Sequence, residues 1–121
     1  ITCRDWSSDV CSSDLMQQAL VAFNAEQRAR SAPELQIGIG VATGAVVAGN
    51  VGGQERIEYT VIGDTVNLAA RLQEKSKELK QTLVLHKETF VQAQTVLGLV
   101  PSAQQSVEIR GKHQLVEIVL L

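Results

Sequence analysis

The stretch from Leu35 to Leu72 narrows the possible folds more than any other part of the chain. Leu35, Ile37, Ile39 and Val41 alternate with smaller residues, which is the two-residue period of a strand. Gly38 and Gly40 strip the opposite face of side chains, so a backbone or a ligand can approach it closely. Ala45 to Val51 reads as a second short strand, and Gly52-Gly53 begins a turn. Arg56 to Ile62 is a third strand, with Ile57, Tyr59 and Val61 on one face. A helix follows from Asp64 or Thr65 to about Lys80, with Asp64 as the expected N-cap. Strands feeding a helix in this way belong to an α/β or α+β domain.

The flanks agree with that class. Met16 to Arg30 is rich in good helix formers and stops short of Pro33, so it reads as a helix. Its apolar positions Leu20, Val21 and Phe23 are too few for a wide buried stripe. Thr82 to His86 reads as a strand and Lys87 to Leu97 as a helix. Val107 to Arg110 and Leu115 to Leu120 read as a closing hairpin around Gly111. No internal repeat is visible.

A chain of 121 residues supports one domain with a modest core. Its net charge of −2 argues against a non-specific nucleic-acid binder, which carries a basic patch. No apolar run reaches the roughly 18–20 residues of a membrane-spanning helix. Residues 1–15 stand apart. They hold both cysteines and the one tryptophan, show no helical or strand period, and lack the basic start and apolar middle of a signal peptide. Asp5 to Leu15, DWSSDVCSSDL, resembles the translation of a common sequencing-library adapter, so residues 1–15 are expected to be a non-native leader. Without Arg4, Asp5, Asp9 and Asp14 the remainder balances at ten basic and ten acidic residues and has no cysteine. Cys3 and Cys11 therefore say nothing about redox compartment or metal binding.

The most informative residues are Ile37 to Leu72, IGIGVATGAVVAGNVGGQERIEYTVIGDTVNLAARL. They resemble the C-terminal half of the catalytic domain of class III nucleotidyl cyclases, the adenylate and guanylate cyclases. There a strand of the form xIGIxxGxVxAGxxG leads into YxxxGxxVNxAxRL, matched here by Tyr59, Gly63, Val66, Asn67, Ala69, Arg71 and Leu72. The closing VEIRGKHQLVEIVLL fits the family's last hairpin, and the resemblance covers nearly everything after Leu15. It implies a ferredoxin-like catalytic domain, incomplete at its N-terminal side, with residues 16–121 as its C-terminal part.

The resemblance also implies roles. A cyclase drives a ribose 3′-hydroxyl onto the α-phosphorus of its own nucleotide and expels pyrophosphate. A fixed guanidinium aimed at the growing charge lowers that barrier. Asn67 and Arg71, four apart, project from one helix face. By resemblance Asn67 orients the ribose and Arg71 stabilises the transition state. The same spacing in an arbitrary helix describes an ordinary solvated face, and the flanking matches lift it above that. Lys112, in Arg110-Gly111-Lys112, takes the family position that meets the β- and γ-phosphates, although an exposed turn lysine is otherwise simply solvated. Thr60 takes the position facing the purine edge. Its hydroxyl donates or accepts, so it does not choose between ATP and GTP, and β propensity alone also explains a threonine there.

Other readings fail. Gly38 to Gly44 is one residue off the dinucleotide fingerprint and no helix follows it, and Gly49 to Gly53 lacks the Lys-Ser or Lys-Thr of a phosphate-binding loop. By resemblance this glycine-rich run lies at a dimer interface. His86 and His113 are not at metal-ligand spacing and read as plain surface or strand histidines.

The family also works with two Mg²⁺ or Mn²⁺ ions, held by an aspartate in an FxDIxGF strand and another in a GD turn, and with a purine-reading lysine in a KxIG segment. None of these motifs occurs in residues 16–121, and Asp64 sits at a helix start instead of the metal-bearing turn. The expectation is a fragment that is inactive alone. It would supply the Asn/Arg half of a site completed by a second copy or a partner cyclase domain. A missing first half would also leave a strand edge open. A cytoplasmic enzyme making a cyclic nucleotide, with ATP favoured over GTP, is the leading reading. A non-catalytic cyclase-like module for dimerisation or nucleotide binding is the alternative.

Overall fold

The computed structural model describes residues 6–111 and 113–121, which form three helices and six strands. A four-stranded mixed sheet is ordered β1-β4-β6-β5, from Ile39–Val41, Leu83–His86, Val116–Leu120 and Ala103–Val107. β1 runs parallel to β4, and β6 lies antiparallel to both β4 and β5. β2 (Val47–Gly53) and β3 (Arg56–Ile62) form a separate antiparallel hairpin.

Alternation along the central strands builds a core on both faces of the sheet. Leu83, Leu85 and Val119 point to one side and pack with Phe90 and Ala93 of α3 (Lys87–Leu97). Val84, Ile118 and Leu120 point to the other and pack with Leu72 of α2 (Asp64–Leu79) and with Ile109. The sheet is thus sandwiched, with α2 on one face and α3 on the other. α1 (Trp6–Ala29) lies against α3 and reaches β1 and β4.

The two glycines of β1 explain how α2 sits down. A Cβ at Gly40 would collide with the α2 backbone between Ala69 and Gln73, and one at Gly38 would strike the Ser76 hydroxyl. The approach foreseen for this face is made by helix backbone. Further ties close the layers. The Thr43 amide donates to Oγ1 of the buried Thr89 at 2.9 Å. Asn24 clamps Leu35 from α1, donating to its carbonyl and accepting from its amide, each at 2.8 Å.

Several elements differ from the sequence-based expectation. α1 begins at Trp6, not Met16, because no Gly or Pro interrupts residues 6–29 and the helix has α3 to pack against. It ends where Ser31 turns left-handed, at φ 53°. β1 pairs over only three residues of the nine expected. Gly52 and Gly53 belong to β2, opposite Ile57 and Arg56, so the hairpin turns at Gln54-Glu55. The N-cap of α2 is Gly63 and Asp64 is already helical. No side chain caps the helix, and the Gly63 carbonyl accepts from Val66 and Asn67 instead. The closing hairpin uses Ala103–Val107, not Val107–Arg110, because Ile109 leaves the sheet to bury itself under α2. α3 runs from Lys87 to Leu97 as expected.

Candidate functional site

The sequence of α2 divides the helix into two faces. Leu68, Leu72, Ser76 and Leu79 turn toward the sheet, with Leu72 and Ser76 fully enclosed. The same 3.6-residue period places Asp64, Asn67, Arg71, Glu74, Lys75 and Glu78 on the outer side. The start of the helix is held by Thr65, whose hydroxyl donates to the Ala45 carbonyl at 3.0 Å.

The second wall comes from far along the chain. Ile109, only 3% exposed, anchors the segment between β5 and β6 in the core cluster of Leu72. With Ile109 buried, Arg110 and Gly111 stand in front of the outer face of α2, Gly111 in a turn at φ 85°. The result is a cleft of about 260 Å³ bounded by Asp64, Asn67, Leu68 and Arg71 on the helix and by Ile109, Arg110 and Gly111 on the loop.

The structure therefore brings Asn67 and Arg71 into one cleft, as their spacing implied. Asn67 is exposed, and the Arg71 side chain is 40% exposed, with Nη1 donating to Glu74 Oε2 at 3.0 Å and Oε1 at 3.2 Å. Lys112 lies outside the described residues; its neighbour Gly111 lines the cleft. Thr60 is exposed on β3 opposite Gly49 and is not among the residues lining this cleft. Sequence reasoning missed Arg110. Its signal was present, a second cation next to the turn glycine, but only the burial of Ile109 shows that the loop folds onto Arg71. Two arginines and an asparagine lining one cleft suit an oxygen-rich anion that also carries hydrogen-bonding groups.

A neighbouring cleft of about 610 Å³ shares Leu68 and is lined by both histidines, His86 and His113. His86 Nδ1 is buried there without a hydrogen-bond partner among the described residues. Among the described residues no three His, Cys, Asp or Glu side chains cluster closely enough to hold a metal ion. The donors on this face, Asp64 foremost, do not fit a two-ion site. Among the described residues no helix is long and apolar enough to cross a membrane.

Comparison with known proteins gives this geometry a context. Residues 2–121 match the family model described as the adenylate and guanylate cyclase catalytic domain. An uncharacterised Mycobacterium tuberculosis protein is 44% identical over 90 residues, covering 74% of this chain and 16% of its own. Adenylate cyclase 1 of Rhizobium meliloti is 46% identical over 63 residues, covering 52% of this chain and 10% of its own. Among solved structures, the guanylyl cyclase Cya2 superposes with a TM-score of 0.77 at 28% identity, over 97% of this chain and 57% of that one. The adenylyl cyclase CyaB from P. aeruginosa superposes with a TM-score of 0.79 at 24% identity, over 96% and 58%. The mixed sheet with its flanking helices is the fold of those domains. The chain spans less than a fifth of the length of these two curated relatives.

Proposed function

The chain belongs to the family of adenylate and guanylate cyclase catalytic domains, and from that premise we propose that residues 16–121 supply the Asn/Arg half of an active site that cyclises a nucleoside triphosphate. The observation that carries this reading is the convergence of Asn67, Arg71 and Arg110 on one cleft beside Gly111. The reaction joins the ribose O3′ to the α-phosphorus and breaks the bond to the departing pyrophosphate. In this reading Asn67 holds the ribose through its amide. Arg71 meets the charge that grows on the phosphoryl oxygens, where a preorganised guanidinium is most effective. Arg110 and Lys112 neutralise the outer phosphates. Thr60 contacts the base edge from the strand that runs directly into α2, with ATP as the substrate and GTP as the competing one.

The family works with divalent metal, Mg²⁺ or Mn²⁺, which neutralises the triphosphate and activates the hydroxyl. The described residues do not offer its donor set, so the metal-bearing half is assigned to a partner cyclase domain that carries the metal aspartates. The hairpin supports such a partner. Val47, Ile57, Tyr59, Val61 and Ile62 are all exposed on it, and exposed apolar side chains gathered in one element mark contact surfaces.

The test mixes this chain with a cyclase domain that keeps its metal aspartates but lacks its own Asn and Arg. Cyclic AMP should appear only in the mixture, and Arg71→Ala in this chain should abolish it. Rescue undiminished by Arg71→Ala would overturn the assignment. No rescue by the unaltered chain would favour a non-catalytic module that dimerises or holds a nucleotide.

A further inference from the structure

The Arg71 guanidinium stands at the border of two adjoining clefts. The smaller holds Asn67. The larger, about 560 Å³, shares Arg71, Arg110 and Gly111 with it and adds three carboxylates, Glu74, Glu78 and Glu108. Arg71 is committed to the acidic side. Its Nη1 alone reaches both oxygens of Glu74, at 3.0 and 3.2 Å, one helical turn along α2. Lys75 is likewise taken by Glu78 at 2.5 Å. A guanidinium paired in this way offers an incoming anion fewer free N–H donors, and the carboxylate beside it repels the same anion.

We propose that Glu74 is an internal competitor for Arg71, a counter-charge that a polyphosphate must displace before the guanidinium can serve it, and so a positioning residue that limits how tightly this cleft holds its anion. The proposal rests on reading the cleft as a polyphosphate site. Both partners are substantially exposed, 40% for Arg71 and 58% for Glu74, so the pair is weak enough for a densely charged ligand to break. A monoanion faces the same competitor with less charge, which biases the cleft toward polyphosphates.

The test titrates inorganic tripolyphosphate into the full chain at low ionic strength, where exposed charges are least screened. Glu74→Gln should tighten binding about two- to five-fold, the range set by an exposed ion pair. Glu74→Ala should follow the same order. Glu58→Gln removes the same charge from the exposed Arg56–Glu58 pair on the hairpin and should leave the Kd unchanged. In an Arg71→Ala background the gain from Glu74→Gln should shrink to the part that direct repulsion of the anion supplies. An unchanged or weaker Kd for Glu74→Gln would overturn the proposal, weaker binding meaning that Glu74 holds Arg71 ready instead of occupying it. A gain undiminished by the loss of Arg71, or no binding by either the unaltered chain or Glu74→Gln, would overturn it as well. The probe has no ribose and needs no metal, so the series reports on Glu74 and not on cyclisation. Tripolyphosphate binding in the expected order without cyclase rescue would sink the proposed function and leave the role of Glu74 standing.

Discussion

Ile109 shares a buried cluster with Leu72, the two side chains being 3% and 0% exposed. This is the joint of the candidate site. Leu72 belongs to the helix that carries Asn67 and Arg71, and Ile109 belongs to the loop that carries Arg110. Without it the two walls of the cleft would be neighbours only by chance.

Ile109→Ala should therefore do two things. It should lower stability by about 2–5 kcal/mol, the usual range for deleting a buried aliphatic side chain. It should also loosen Arg110 and weaken tripolyphosphate binding beyond what the lost stability explains. Urea unfolding followed by titration at a denaturant-free concentration separates the two effects.

Gly40→Ala tests the packing of α2 on β1. A Cβ there meets backbone at Ala69, Leu72 and Gln73, and helix backbone has no rotamer with which to give way. A loss of about 1–3 kcal/mol or more is expected. A thermal midpoint unchanged from the parent chain would mean that helix and strand do not approach as described.

Arg71→Lys keeps the charge and loses the planar fork. If Arg71 meets developing charge through several N–H donors, lysine should not replace it. The rescued cyclase rate should fall about 10²–10³-fold, as when one preorganised donor is removed from a reacting centre. Near-normal rates with lysine would reduce the role of Arg71 to simple charge neutralisation.

Thr89→Val deletes the hydroxyl that accepts from the Thr43 amide, at a site with no exposure at all. The orphaned amide should cost about 1–3 kcal/mol. Thr89→Ser should restore most of it, which calorimetric unfolding would read directly.

The hairpin gives the remaining prediction. Ile57 and Tyr59 are 68% and 67% exposed, so the double change to Ser should shift stability by no more than about 1 kcal/mol, about 0.5 for each. If the hairpin is the surface that meets a second cyclase domain, the same change should abolish rescue and dimerisation in sedimentation measurements. Unaltered sedimentation and rescue would move the partner surface elsewhere.

Much of this protein was written in short-range pattern. The alternation that made a strand near Ile39, the glycines that cleared one face of it, and the four-residue step from Asn67 to Arg71 depend only on neighbours in the chain. So does the run of α3 from Lys87 to Leu97. The motif around Tyr59 to Leu72 was legible for the same reason, and with it the family. What the tertiary structure decided were matters of partners distant in sequence. α1 extends back to Trp6 through residues with no period of their own, as part of a helix that packs on α3. β5 is Ala103–Val107 because Ile109 finds a better place under α2 than in the sheet. Arg110 entered the site, and Glu74 took hold of Arg71, only once that loop and helix had met. Periodicity is set by backbone geometry over a few residues. Which loop closes on which helix is set by where an isoleucine can be buried, and that is known only when the core exists.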